Sequence, residues 1–223
     1  MKKSRIFAAA LGLFLVTAFQ RDNNWVSRNQ FDQQQTTSFD FSKLKEGDII
    51  FQSSQSEQCL AVQLATQSVY SHCGIIYLKN GEYHVYEAVQ PVKYTPLKNW
   101  IAKGLHGQFA IKRLKNAESV LTAKTLRKMK NRGNLFLNRD YDITFEWSDD
   151  KIYCSELVWK IYQRATGLRV GELQRLRDFD LSSEIVKKIM KERYGNNIPL
   201  DEIVISPVAI FESDLLELVY SNY

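Results

Sequence analysis

The chain has 223 residues, of which 44% are apolar and 25% charged, with a formal net charge of +5 at neutral pH. That length can bury a full core without disulfides or metals, and the composition excludes a disordered or fibrous chain. Taking Lys2, Lys3 and Arg5 away with the N-terminal segment reduces the 30 basic residues to 27, against 25 acidic, a net +2. The basicity is therefore mostly N-terminal and is not a nucleic-acid footprint, so no nucleic-acid partner is expected.

The N-terminus reads as an export signal over residues 1–18. A basic start (Lys2, Lys3, Arg5) precedes an apolar stretch, Ile6 to Phe19, too short for an ordinary membrane span. Val16-Thr17-Ala18 is an acceptable cleavage site, with an uncleaved N-terminal anchor as the alternative. No cysteine ends the apolar stretch, which argues against a lipoprotein signal. An exported protein of the periplasm or cell envelope is the expectation. Residues 19–44, rich in Asn, Gln, Ser and Thr, read as a polar leader, and 45–223 as one domain.

Within that domain residues 49–52 predict a strand. Residues 56–67 predict a helix carrying Leu60, Leu64 and Val69 near its inner face. Strands follow at 72–78, 83–89 and 109–114. A helix over 118–130 turns Val120, Leu121 and Met129 inward and Lys124, Arg127, Lys128, Lys130 and Arg132 toward solvent. The functional alternative for that basic face is contact with an anionic cell wall or membrane surface. Helices over 153–166 and 180–192 come next. Pro207 opens a short helix, and 215–219 is a last strand. Antiparallel strands packed against helices define an α+β fold.

Two stretches carry chemistry. Tyr70-Ser71-His72-Cys73-Gly74 leads into the 72–78 strand, and Asn80-Gly81 is the signature of a two-residue hairpin turn with positive φ at both positions. With that turn, Lys79 pairs with Glu82, and His72, Gly74 and Glu87 project from one face of the sheet. His72 and Glu87 become diagonal neighbours, about 7–8 Å apart at the backbone and within side-chain reach. Gly74 leaves Glu87 room to lean. Cys73 should point to the opposite face, away from the imidazole, as a small buried residue.

The second stretch is Lys151-Ile152-Tyr153-Cys154-Ser155-Glu156-Leu157. Leu157, Val158, Ile161 and Ala165 follow Cys154 at helical spacing, and Gly167 is a stop. A thiol at a helix N-terminus is acidified by the exposed N–H groups, which favours thiolate. Cys154 as nucleophile, His72 as base and Glu87 as the group that orients the base make a complete set for acyl transfer through a thioester. The Cys154 N–H could help hold an oxyanion. Tyr153, Tyr141 and Asp142 are candidates for oxyanion or support roles.

These residues resemble a family. Gly47-Asp48-Ile49-Ile50-Phe51, Ser71-His72-Cys73-Gly74, Tyr86-Glu87-Ala88, Tyr141-Asp142, Tyr153-Cys154-Ser155-Glu156-Leu157-Val158 and the stretch from Ile205-Ser206-Pro207 to Phe211-Glu212-Ser213 are similar to the YiiX-like proteins. Those are circularly permuted members of the NlpC-type papain-like cysteine peptidase superfamily. The resemblance spans about residues 46 to 220 and implies a permuted papain-like cysteine hydrolase fold. It also implies the same roles for Cys154, His72 and Glu87. At Cys73 the family more often has an aliphatic residue.

No metal or cofactor is expected, since Cys-x-x-Cys, His-Glu-x-x-His and phosphate-cradling glycine motifs are missing. The acidic stretch Asp140, Asp142, Glu146, Asp149, Asp150 lacks the spacing of a calcium loop. Three cysteines leave at least one free, and Cys59 and Cys73 could pair. Three functions remain open. One is a cysteine peptidase or amidase acting on amide bonds, with cell-wall peptides among its substrates. Another is an acyltransferase or lipid hydrolase with the same triad, which a long apolar groove beside Cys154 would favour. The last is an inactive binding protein. Oligomeric state is not legible.

Overall fold

The structure, a computed structural model, describes residues 39–223. The expected export signal and residues 19–38 of the polar leader lie outside the described residues. The packed unit starts at Phe41, and Leu44 is already buried, its carbonyl accepting the Tyr83 hydroxyl at 2.8 Å.

In chain order the elements are β1 (Ile49–Gln52), α1 (Glu57–Thr66), β2 (His72–Lys79), β3 (Glu82–Glu87), β4 (Lys93–Pro96), α2 (Leu97–Lys103) and β5 (Ala110–Leu114). Then follow α3 (Ala117–Val120), α4 (Ala123–Asn134), α5 (Cys154–Thr166), β6 (Gln174–Arg175), α6 (Glu184–Tyr194), β7 (Ile203–Val204), α7 (Pro207–Phe211) and β8 (Leu216–Ser221). Six strands form one antiparallel sheet in the order β4-β3-β2-β1-β5-β8, and β6 pairs with β7 apart from it.

The hairpin has the expected register. Asn80 and Gly81 take φ of 54° and 81°, and Lys79–Glu82 through Ile75–Tyr86 are paired. One sheet face, with Ile49, Phe51, Cys73, Ile75, Tyr77 and Tyr86, packs on Leu157, Val158, Ile161 and Tyr162 of α5. Side-chain alternation sends Val85 and Glu87 the other way, where α2 lies against β3 and β4. Helix α5 runs from its Tyr153 cap to Gly167, whose φ of 84° closes it in the left-handed region. Pro207 opens α7 behind the Ser206 cap.

Four expectations need correction. Leu60, Leu64 and Val69 are exposed. Helix α1 does not pack on the sheet; it turns small Ala61 toward α6, in a second core with Leu176, Val186, Ile189 and Met190. The helix expected over 118–130 is broken at Leu121, because Thr122 caps a new helix by accepting the Thr125 N–H. Helix α6 starts late for the same reason, with Ser183 accepting the Val186 N–H. Strand β4 and helix α2 were not foreseen. On α4, Lys124, Arg127, Lys128 and Arg132 are solvated, whereas Lys130 is half-buried over the Tyr77 ring and paired with Glu46. Among the described residues no helix is long and apolar enough to cross a membrane.

Asp48 fastens the centre of the sheet. Fully buried, it accepts Arg113 Nε at 2.6 Å and Nη2 at 2.7 Å, and the Lys45 N–H at 2.9 Å. Removing one partner of such a pair strands the other charge. Asp48→Ala should therefore cost about 3 kcal/mol or more in urea unfolding, while Glu118→Ala, at an exposed ion pair, should leave the urea midpoint nearly unchanged.

Candidate active site

Glu87 ends β3 with only 2% of its side chain exposed. A buried carboxylate needs donors, and Glu87 has three. Trp100 Nε1 donates to Oε2 at 2.7 Å, Thr95 Oγ1 donates to Oε1 at 2.6 Å, and His72 Nε2 lies 2.5 Å from Oε2. Burial pushes the Glu87 pKa up, but these bonds and the His72 charge outweigh it and hold the carboxyl below its ordinary value. The His72 ring also stacks on Trp100, with centroids 5.8 Å apart.

Gly74 was expected to make room for Glu87, and the structure refines that. A Cβ there would lie 2.4 Å from Val85 Cγ1 and 2.8 Å from the Tyr86 carbonyl, and 3.4 Å from Glu87 Cβ. The missing side chain lets Val85 and the whole β3 backbone approach.

With Nε2 on Glu87, the other imidazole nitrogen is left for Cys154, to which His72 is hydrogen-bonded. Cys154 is the first residue of α5, 4% exposed, behind a Tyr153 cap that offers no side-chain acceptor. The first N–H groups of the helix therefore keep no intrahelical partner. The Cys154 pKa is held well below that of an ordinary thiol. The hydrogen bond from the Cys73 side chain contributes most and outweighs burial, which acts upward; the His72 bond and charge and the Cys73 N–H add to it. Burial alone would lower the His72 pKa, but bonds to Cys154 and Glu87 raise it well above its ordinary value. Thiolate and imidazolium stabilise one another as a buried pair.

Cys73 is buried on the face opposite Glu87, as strand alternation predicts. That face is where the start of α5 sits, so its thiol also lies near Cys154. All three cysteines are free thiols, so Cys59 and Cys73 are not paired.

The candidate support residues take different places. Tyr141 lies beside Cys154 and its hydroxyl accepts from Gln58 Nε2 at 3.0 Å. The Tyr153 hydroxyl is occupied at 3.1 Å by the Ile205 N–H and anchors the segment that follows β7. Asp142 is buried and accepts the Thr144 N–H and hydroxyl at 2.8 and 2.7 Å, so it shapes its own loop. Thr95, Trp100 and Gln58 were missed. Leu97 and Trp100 at helical spacing behind Pro96 were the available signal for α2; nothing local marks Thr95 or Gln58.

Two openings meet at this point. An apolar cavity of about 100 Å³ between α1, α6 and the start of α5 is walled by Val62, Phe145, Leu176, Val186, Ile189 and Met190, with Cys154 on its lining. A more polar cleft runs past His72, Glu87, Gln58, Tyr141, Gln90 and Lys103.

A helix that opens on a thiol, set against a sheet whose strands supply imidazole and carboxylate, has the arrangement of the papain-like class of cysteine hydrolase. Residues 43–220 match the model of the permuted papain-like amidase enzymes, YaeF/YiiX, C92 family, and the chain belongs to that family. It is 51% identical over 177 residues to "Uncharacterized protein YiiX" of Escherichia coli (strain K12), covering 79% of this chain and 86% of that one. It is also similar to the crystal structure of "metalloprotein yiiX from Escherichia coli O157:H7", with a TM-score of 0.76 and 49% identity over 80% of this chain and 98% of that one. Membership makes the chain a cysteine hydrolase of the amidase kind, acting on peptide or amide substrates.

The ion pair is measurable. Because the Cys154 pKa is depressed, its thiolate persists as pH falls until that lowered value is crossed. Alkylation of Cys154 by iodoacetamide, followed by mass spectrometry, should stay fast at pH 6, well under the ordinary thiol pKa of about 8.5. His72→Ala should move the midpoint upward. A Cys154 that is inert at pH 6, or indifferent to His72, contradicts the pair.

Proposed function

We propose that Cys154 is the nucleophile of an amide hydrolase, with His72 as acid–base and Glu87 as the residue that orients it. The observation that carries this is the continuous set of contacts from Cys154 through His72 to a carboxylate held by Thr95 and Trp100. The thiolate attacks the amide carbonyl. The developing oxyanion is met by the Cys154 N–H at the helix start and by the Tyr141 hydroxyl, which accepts from Gln58 and keeps its own proton to donate. The His72 imidazolium then gives its proton to the leaving amine. Neutral imidazole takes a proton from water, and the resulting hydroxide cleaves the thioester. Glu87 stays ionised throughout and keeps the ring facing the sulfur.

The related solved structure is named a metalloprotein. In this chain, among the described residues, no group of three or more His, Cys, Asp and Glu side chains is placed to hold a metal ion. The residues present do not fit one, and no step above passes through one.

The apolar cavity favours a second reading of the substrate. Its lining is mainly apolar, with Arg193 the one charged side chain on it, and suits an aliphatic acyl chain or a large apolar side chain on the carbonyl side of the scissile bond. An acyl amide or acyl lipid is thus the preferred substrate, and cell-wall peptides the alternative. Export to the periplasm or cell envelope is supported by the basic-then-apolar N-terminus. Contact with a cell wall or membrane surface is supported by the solvated Lys124, Arg127, Lys128 and Arg132 of α4.

The test is a series of acyl anilides from acetyl upward, run beside a cell-wall peptide. kcat/KM should rise about fourfold for each methylene buried, at about 0.8 kcal/mol each, until the cavity is full. Met190→Trp should shorten the best chain without harming the acetyl substrate. Cys154→Ala and His72→Ala should each lower kcat by about 10³-fold or more. Turnover that ignores chain length, or prefers the peptide, removes the acyl reading. Turnover that survives Cys154→Ala removes the nucleophile.

A further inference from the structure

Cys73 and Cys154 face each other across the junction of β2 and α5. Cys73 lies on the face of β2 that packs against α5, in the same buried core as Cys154 at the start of that helix, and each thiol perturbs the other. Both cysteines are free and nearly solvent-inaccessible, at 0% and 4% exposure. Cys154 nevertheless lines the apolar cavity, through which a small oxidant can reach it. A second thiol in contact with a reactive one is not needed for amide hydrolysis. It is, however, what a thiol needs to survive oxidation, since a sulfenic acid without a partner goes on to irreversible acids.

We propose that Cys73 is the resolving thiol for Cys154, so that a hydroperoxide converts the two into a disulfide that masks the nucleophile reversibly. It rests on Cys154 being the activated thiolate proposed above. In the first step the Cys154 sulfur bonds to one peroxide oxygen and the O–O bond breaks. The other oxygen leaves as hydroxide or alkoxide and is protonated, giving water or an alcohol and a sulfenic acid. In the second step the Cys73 sulfur attacks the Cys154 sulfur and the S–O bond breaks. The departing oxygen leaves as water, taking up the Cys73 proton with the protonated His72 alongside. Each sulfur is oxidised by one electron and the peroxide is reduced by two.

The surroundings set the order of events. Burial and the neighbouring Cys154 charge keep the Cys73 thiol protonated, so the oxidant finds its thiolate only at Cys154. Cys59 is the competing partner, half-buried on the same polar cleft as His72.

The experiment is hydrogen peroxide titration of the purified chain with non-reducing peptide mapping by mass spectrometry, run beside iodoacetamide alkylation of untreated protein. A Cys73–Cys154 linked peptide is expected, and a dithiol should restore alkylation of Cys154 to its starting level. Cys73→Ala, and Cys73→Val should alanine loosen the core, also remove the bond that favours the Cys154 thiolate, so peroxide is raised until Cys154 alkylation is lost to the same extent as in the natural chain, and Cys154 should then be found as acids bearing two or three oxygens. A dithiol should then recover less than about one-tenth of the alkylation. A Cys59–Cys154 link, or direct over-oxidation of Cys154 in the natural chain, overturns the assignment of Cys73 and leaves the nucleophile standing. A Cys154 inert to both peroxide and iodoacetamide overturns both.

Discussion

A carboxylate kept charged inside the protein is the constraint around which this site is built. Glu87 is almost inaccessible and still ionised, which is costly unless each oxygen is met by a donor. Those donors come from Thr95 of β4 and Trp100 of α2, elements beyond the end of the hairpin that carries Glu87. The excursion from β3 through β4 into α2 thus supplies the polar floor on which His72 rests. With Glu87 held from two sides, His72 has one ring nitrogen fixed and the other presented to α5.

Helix α5 closes the arrangement from the other face. Leu157, Val158, Ile161 and Tyr162 are buried against the sheet, so the position of Cys154 follows from the packing of the whole helix. Sheet alternation puts His72 and Cys73 on opposite faces, and the thiol at the helix start touches both. Glu156, in the first turn of the helix, has its pKa pushed up to about 8, because burial outweighs Lys160, 2.6 Å away, and the Tyr153 N–H. Lys160 also reaches Asp149 at 2.9 Å, and Arg164 pairs with the same carboxylate at 2.8 Å. The acidic loop before α5 is therefore tied back onto the helix it introduces.

The proposed substrate cavity belongs to a different layer from the proposed triad. The sheet and α5 carry the reactive groups, whereas α1 and α6 build a small second core beside them whose inner wall is apolar. Small residues on α1, such as Ala61, let α6 approach while leaving the cavity open. That division explains why family membership specifies amide chemistry more closely than it specifies the ligand.

Short-range patterns were legible directly. Asn80-Gly81 dictated a turn with positive φ at both positions, and from that turn the register placing His72 and Glu87 on one face follows by counting. The spacing after Cys154 dictated a helix, and Gly167 its end. Where the sequence misled, the deciding contact was distant. Leu60 and Leu64 have an apolar periodicity but face solvent, because α1 found α6 and not the sheet. Cys73 was correctly assigned to its face, yet a strand cannot announce which helix will lie beneath it. Thr95 and Trp100 reach Glu87 only because β4 folds back beside β3. Turns and helix ends are decided by backbone sterics and neighbouring side chains, which a sequence displays. Which thiol meets which imidazole, and which wall faces a cavity, depends on packing between segments far apart in the chain, and only the tertiary structure decides that.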